Sequence, residues 1–294
     1  MIKQIGRLMI IVGAFLLMLV PAGTGAAAEG MNWENNVIRV TGTGVAPANA
    51  RTAAQGRLLA RRAAIVDGYR QMAEIVRGVN VDSETTVQNM MVTDDVIKTK
   101  VSACVQGAKI ISEQTLPDGG YEVTMEVSVF GVSGLAQAVM PKPAVQESFP
   151  APVPDVIPSV PADSMVGGTS VSVTVPAQGA SPMDAVGGFT GLIVDCRGMG
   201  LNPVMSPVIK NDREIPVYGH KNLDYDKVVL EGMAAYVTDI SRAVRAGSHP
   251  LMVRAIRLMD HNANPVISTD DANRVLIENG TTGFLGKTAV VFLR

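Results

Sequence analysis

Aromatic residues are scarce in this chain of 294 residues: phenylalanine, tryptophan and tyrosine together make up 4% of it, with a single tryptophan. Alanine, valine, isoleucine, leucine and methionine are plentiful instead, so the predicted core is aliphatic. Small-molecule pockets are usually lined by aromatic and other apolar side chains around a few polar groups. The composition therefore argues against an aromatic-lined ligand pocket.

The chain also lacks an excess of basic residues and a recognisable set of catalytic residues. Its formal net charge is −2, whereas nucleic-acid-binding domains are usually markedly basic, so we expect no nucleic-acid partner. The histidines, His220, His249 and His261, lack the close spacing of a zinc site. No Gly-x-Ser-x-Gly elbow is present. We therefore predict a protein that is not an enzyme and that uses neither a metal nor another cofactor.

Cysteine is limited to Cys104 and Cys196. In an exported protein two cysteines favour a disulfide, but these two lie in different predicted domains, each within an apolar run. Buried cysteine behaves as a small hydrophobic residue. We therefore predict two buried free thiols rather than a disulfide.

Long apolar runs are absent except at the start of the chain. Residues 8–20 are apolar and follow two basic residues, and a stretch of small residues ends at Ala28. This pattern predicts a signal peptide over residues 1–28, cleaved between Ala28 and Glu29. The run is shorter than the ~20 residues that span a bilayer, which disfavours an uncleaved anchor. We expect an exported, periplasmic protein with no transmembrane segment in its mature part, and no N-terminal lipid because no cysteine follows the cleavage point.

A proline-rich stretch divides the remaining chain. Residues 141–161 contain seven prolines, a composition typical of extended, semi-rigid spacers. Small and polar residues continue it, so the predicted linker covers residues 141–187 and separates domains at residues 29–140 and 188–294. Alternating valines at residues 171–175 predict a lone strand inside the linker. Recognition by a proline-binding partner is the alternative to a plain spacer.

Both domains are predicted to be α+β, each an antiparallel sheet packed with helices. The N-terminal domain should contain strands at residues 37–41, 108–114 and 121–129, helices at residues 48–76 and from residue 93, and an extended segment at residues 79–92. The C-terminal domain should contain strands at residues 190–195, 251–258 and 287–293 and helices at residues 226–244 and 269–278. The strand at residues 121–129 is the clearest, because apolar and polar residues alternate along it.

The first helix carries apolar residues at three- and four-residue steps, which predicts one buried face. That predicted face consists of Ala54, Leu58, Ile65, Tyr69, Met72 and Val76. Before the helix, Gly42-Thr43-Gly44 resembles the first half of a dinucleotide fingerprint, but Pro47 stands where the third glycine is required. A turn into a helix that begins with proline is favoured over nucleotide binding.

Polar residues near predicted strand ends suggest an alternative function for the C-terminal domain, as a ligand-binding or enzymatic domain. Asp195, Arg197, Asp212 and His220 are candidates to converge in the C-terminal domain. They would form a ligand-binding or enzymatic site. The acidic pairs Asp94-Asp95 and Asp270-Asp271 are instead interpreted as helix N-termini, where negative charge is favourable.

An ordered series of segments in the N-terminal domain carries a family resemblance. The series consists of residues 40–47 (VTGTGVAP), 57–64 (RLLARRAA), 67–71 (DGYRQ), 78–83 (GVNVDS), 98–101 (KTKV) and 107–109 (GAK). Residues 37–131 thereby resemble the bacterial family that includes a twenty-kilodalton outer-membrane lipoprotein and the N-terminal domain of flagellar assembly protein T. The resemblance implies an α+β, non-enzymatic envelope protein, with flagellar basal-body association in some members. It brings no catalytic residues.

Together these features predict an exported, two-domain protein that acts by binding. The leading hypothesis is an assembly or scaffolding component of the cell envelope, associated with the outer membrane or the flagellar basal body. Envelope or basal-body proteins would be its partners, and an exposed sheet edge would allow a homo-oligomer. Adhesion at the outer surface is a further alternative.

Overall fold

The computed structural model describes residues 29–153 and 185–294. It confirms the α+β class, with helices beside antiparallel, mixed and parallel sheets. We call residues 29–140 the N-terminal region and residues 185–294 the C-terminal region. Across the described residues, every helix is too short or too polar to cross a bilayer. The predicted leader and the predicted strand at residues 171–175 lie outside the described residues.

The N-terminal region is a four-stranded antiparallel sheet, of order β1-β2-β4-β3, with helix α1 across one face. Its elements are β1 (Gly30–Asn32), β2 (Val37–Gly44), α1 (Ala53–Arg77), α2 (Val87–Thr93), α3 (Asp95–Gln106), β3 (Lys109–Thr115), β4 (Tyr121–Ser128) and α4 (Ala136–Val139). In β4 the buried residues alternate with partly exposed ones, so one face meets the helix. The predicted alternation of this strand is thereby confirmed.

Two glycines on β2 bring α1 unusually close to the sheet. Gly42 and Gly44 lie within β2, paired with β4, and do not form the predicted turn. A Cβ on Gly42 would lie 2.2 Å from the carbonyl oxygen of Ala64, and one on Gly44 would lie 2.2 Å from that of Ala60. Glycine is therefore needed at both positions because the helix backbone occupies the space of a side chain.

The predicted buried face of α1 is wrong in its N-terminal half. The residues buried against the sheet are Gly56, Ala60, Ala64, Gly68, Met72 and Val76, whereas Ala54 and Leu58 are exposed. Only small side chains fit where the backbones approach so closely, so the larger aliphatic residues point away. The helix also begins later than predicted, with Thr52 as its N-cap accepting from the Gln55 amide.

The segment predicted to be extended over residues 79–92 is helical in its last part. Helix α2 begins after Thr86, whose side chain accepts from the Asn89 amide. Asp94 then caps α3 by accepting from the amides of Val96 and Ile97, as the helix-start interpretation expects.

The C-terminal region contains two four-stranded sheets, of order β8-β12-β5-β9 and β10-β11-β6-β7. Its elements are β5 (Gly191–Asp195), β6 (Ile209–Asn211), β7 (Pro216–Tyr218), α5 (Tyr225–Glu231), β8 (Ala235–Val237), β9 (Pro250–Arg254), β10 (Arg257–Met259), β11 (Asn264–Ile267), α6 (Thr269–Thr282) and β12 (Val290–Leu293). All pairings in the first sheet are parallel, and the second is mixed. The antiparallel sheet predicted here is therefore wrong. Continuous apolar runs such as that of β12 are typical of parallel strands buried on both faces.

The helix predicted over residues 226–244 is also wrong beyond its first two turns. Helix α5 ends at Gly232, whose φ of 78° ends the helical path. A Cβ on Gly232 would lie 2.8 Å from the Phe130 ring, so the chain changes direction where the two regions meet. The following apolar residues form β8, whose Val237 pairs with Leu293 of β12. The predicted strand at residues 251–258 is divided between β9 and β10.

The two regions share one hydrophobic core. Buried residues of β4 and α4 belong to the same cluster as buried residues of α5 and β5. Backbone hydrogen bonds join the regions as well: the Gly131 amide donates to the Val229 carbonyl, and the Met205 and Ser206 amides donate to the carbonyls of residues 80 and 81. The regions are therefore packed against each other.

Two parts of the predicted linker contact α6. The side chain of Asn273 bonds the amide and the carbonyl of Val153, at 2.8 and 2.9 Å. The fully buried carboxylate of Glu278 accepts from the amides of Val186 and Gly187 at 2.8 and 2.7 Å. The chain on either side of residues 154–184 is thus held by one helix of the C-terminal region.

Candidate functional site

Asp195 and Arg197, two of the predicted site residues, form an ion pair at the carboxyl end of β5. The Arg197 guanidinium donates to both carboxylate oxygens of Asp195, at 2.9 and 2.7 Å. This pairing lowers the pKa of Asp195 to about 2. Ligands of open parallel sheets bind outside the carboxyl ends of the strands, but here the two side chains satisfy each other.

Asp212 and His220 have other partners. Asp212 follows β6 and accepts from the Thr269 hydroxyl at the start of α6, which lowers its pKa. The Nδ1 atom of His220 lies 3.4 Å from the Ser206 hydroxyl, and burial lowers the pKa of the imidazole. Within residues 29–153 and 185–294, neither side chain bonds to Asp195 or Arg197. The predicted convergence of these four residues is not found.

The two cysteines lie in different surroundings and both are free thiols. Cys196 is buried after β5, and burial raises its pKa to about 12. Cys104 is half-buried on α3, with its Sγ atom 3.7 Å from the Ser133 carbonyl oxygen, and burial raises its pKa as well. Neither environment activates a thiolate, so a nucleophilic role is not supported.

A polar cleft of about 290 Å³ lies where the segment after α1 meets the β10–β11 turn. The Nδ1 atom of His261 is 3.1 Å from the Ser83 carbonyl oxygen, and the Asp82 carboxylate accepts from the amides of residues 84 and 85. Its polar groups thus hold loops and join the regions. The described ranges contain no group of three or more metal-ligating side chains.

An unexpected surface lies on α1, on the side opposite the sheet. Leu58, Leu59 and Val66 point outward, with Leu58 70% and Val66 61% exposed. At ~100° per residue, these positions fall within about 100° of one another around the helix axis. We call these three residues the aliphatic ridge. Arrangements of this kind mark interaction sites more often than isolated exposed apolar residues do.

Arginines lie both beside and within the aliphatic ridge: at ~100° per residue, Arg62 falls between Leu58 and Val66 on the same helix face. Arg61 pairs with Glu113 of β3 at 2.7 Å. Arg57 and Arg62 are exposed, and neither forms an ion pair with any residue that the structure describes. The surface therefore combines protruding aliphatic side chains with uncompensated positive charge. It is suited to an apolar partner surface that carries carboxylates both at its margin, opposite Arg57, and opposite Arg62.

Sequence reasoning missed the aliphatic ridge because it assigned Leu58 to the buried face of α1 and gave Leu59 and Val66 no role. The signal was nevertheless present. Glycine and alanine recur every four residues from Gly56 to Gly68, and the neighbouring strand has Gly42 and Gly44. Small residues on both elements indicate a close approach, which leaves leucine and valine for the opposite face.

The comparisons with known proteins divide the chain at the same place as its two regions. Residues 43–128 match the model of the LPP20 lipoprotein family, which confirms the predicted lipoprotein-like resemblance; the predicted likeness to flagellar assembly protein T stays a prediction. Residues 191–294 match the model described as the second domain of Treponema pallidum Tp0624. No curated protein matches the chain. The N-terminal region is thus similar to LPP20 lipoproteins, and the C-terminal region is similar to that second domain.

Proposed function

We propose that this protein is an exported, non-enzymatic component of the cell envelope that binds another envelope protein through the aliphatic ridge. The observation that carries the proposal is the exposure of Leu58 and Val66 on a helix that packs through glycine and alanine. The match of residues 43–128 to a lipoprotein family supports an envelope location. The leader pattern of residues 1–28 supports export.

The charge around the aliphatic ridge favours a partner of a particular kind. Arg57 and Arg62 would face like charges if two copies paired through this helix, and like charges brought together at an interface cost several kcal/mol. An apolar groove with acidic side chains opposite Arg57 and Arg62 would instead bury the leucines and pair with both arginines. Helix-in-groove binding uses anchors on one helix face, at spacings that include seven residues, and Leu59 and Val66 are seven residues apart.

The leader pattern and the lipoprotein-family match also bear on where the protein acts. The mature protein would be periplasmic, in contact with proteins of the outer membrane or the flagellar basal body. Loss of swimming on deletion of the gene would support the basal-body assignment. Normal swimming of the deletion strain would reject that assignment and leave the other envelope partners.

In-cell crosslinking tests the proposed surface directly. A photo-crosslinking amino acid at position 58 or 66 should capture one identified envelope protein. The same amino acid at Val92, which is 80% exposed on α2, is the matched control and should not capture it. Arg62→Glu should abolish the crosslink. Capture of the same protein from Val92, or none from positions 58 and 66, would contradict the proposal.

Truncation measures how much the aliphatic ridge contributes. Burying a leucine side chain fully contributes about 1.5–3 kcal/mol, and Leu58 is already partly covered in the free protein. Leu58→Ala should therefore weaken partner binding by about 1–2 kcal/mol. Because surface substitutions usually change stability by less than about 0.5 kcal/mol, the free energy of unfolding should hardly change.

A further inference from the structure

The parallel sheet β8-β12-β5-β9 has two apolar faces that are covered very differently. Leu192 and Phe292 point into the main hydrophobic core. On the opposite side, Ile193, Val291 and Leu293 belong to a separate, small cluster of buried residues. Parallel sheets are found almost only with both faces covered. This second side is therefore expected to be covered as well.

Two single 3₁₀ turns, Ile240–Arg242 and Val244–Ala246, cover the second side. The second turn lies directly on the sheet, since a Cβ on Gly191 would be 2.5 Å from the Ala246 carbonyl oxygen. Beyond this thin layer, Ile240, Val244 and Met252 are 51%, 82% and 45% exposed. We call these three residues the outer face. Among the described residues the sheet has no helix layer on this side.

Opposite charges stand at the two edges of the same sheet. Arg254 ends β9, one edge strand, and Asp239 follows β8, the other edge strand. Both residues are exposed, and neither forms an ion pair within the described ranges. The Asp239 carboxylate accepts from the Ser241 amide at 2.8 Å. That bond lowers its pKa and keeps it ionised at neutral pH.

We propose that the outer face binds the outer face of a second copy of this chain. A two-fold axis parallel to the strands would place β9 of each copy over β8 of the other. Each Arg254 would then face the Asp239 of the other copy, and Met252 would face the turns that carry Ile240 and Val244. A surface that is complementary to itself in this way is what a two-fold dimer requires. The proposal is independent of the proposed function, because the aliphatic ridge lies on α1 of the N-terminal region.

Analytical ultracentrifugation of the purified protein tests the proposal by measuring its oligomeric state. The wild type should be a dimer. Val244→Glu should raise the dissociation constant at least tenfold, whereas Val92→Glu, an equally exposed valine on α2, should leave it unchanged. A monomeric wild type, or a dimer that Val244→Glu does not weaken, would overturn the proposal.

Charge reversal tests the orientation of the two copies. Arg254→Asp alone and Asp239→Arg alone should each weaken self-association, because each puts like charges opposite one another twice. Mixing the two variants should restore association, since the mixed dimer then has two opposite-charge pairs. Restored association on mixing is specific to the Arg254–Asp239 contact. Failure of the mixture to associate while the wild type dimerises would reject the proposed arrangement.

Discussion

Substitution of Gly42 by alanine tests whether helix α1 rests on β2 backbone to backbone. The new Cβ would lie 2.2 Å from the Ala64 carbonyl oxygen, 2.4 Å from the Gly68 nitrogen and 2.8 Å from the Gly68 Cα atom. The shortest distance is more than about 1 Å below a normal non-bonded contact. All three neighbours are backbone atoms, so no side chain can rotate away and the helix itself must move.

Overpacking of a core usually costs about 1–3 kcal/mol, and more when the surroundings cannot adjust. We therefore expect Gly42→Ala to lower the free energy of unfolding by at least about 3 kcal/mol, a large part of the about 5–15 kcal/mol typical of a folded protein. Gly68→Ala should cost less, because its Cβ would meet the Sδ atom of the flexible Met125 side chain at 2.6 Å.

A third glycine provides the matched control, because its substitution by alanine should raise the free energy of unfolding instead of lowering it. Gly280 is exposed within α6, and no atom lies within 4 Å of the position that a Cβ would take there. Alanine at this position should stabilise the protein by about 0.5–1 kcal/mol, because glycine disfavours the helix. Urea unfolding followed by circular dichroism measures all three variants. A loss below about 1 kcal/mol for Gly42→Ala, or a larger loss for Gly68→Ala, would refute the proposed packing.

Three further predictions follow from individual side chains. The folded-state pKa of Asp195 is about 2, so the stabilisation from its ionised carboxylate is fully present above about pH 4 and is lost as the pH falls toward about 2. Asp195→Asn should remove this part of the pH dependence of the free energy of unfolding. The change should be less than about 1 kcal/mol, because solvent screens the ion pair. Cys104 and Cys196 should both titrate as free thiols in non-reducing denaturant, and Cys196 should not react in the folded protein; a titre near zero would indicate a disulfide. Glu278→Ala leaves two backbone amides without their acceptor and Arg274 without its ion-pair partner, and should cost about 3 kcal/mol. Hydrogen exchange should become faster at Val186 and Gly187; unchanged exchange would contradict the contact.

The elements that the sequence predicts well are those whose pattern is fixed locally. The alternation of β4 depends on one buried face, and Asp94 binds amides within its own turn. The second C-terminal helix is also predicted from residue 269, where Ser268 is its N-cap, although it continues to Thr282. In each case the residues that decide the structure are neighbours along the chain.

The elements predicted wrongly depend on distant partners. The apolar residues after Gly232 have helical spacing, but they form β8, which pairs with β12 more than fifty residues later in the chain. A periodicity cannot reveal a parallel partner at that distance, nor that Gly232 packs against the Phe130 ring of the other region. The aliphatic ridge was missed for a similar reason: the glycines that force Leu58 outward lie on another element.

The contacts of α6 bear on the chain on either side of residues 154–184. A spacer between two domains would leave one domain and enter the other, so its length would set their separation. Here Val153 is bonded to Asn273, and Gly187 is bonded to Glu278, five residues further along one helix, an axial rise of about 7.5 Å. The segment between them therefore begins and ends beside the same helix of the C-terminal region. The separation of the two regions is set by their shared core.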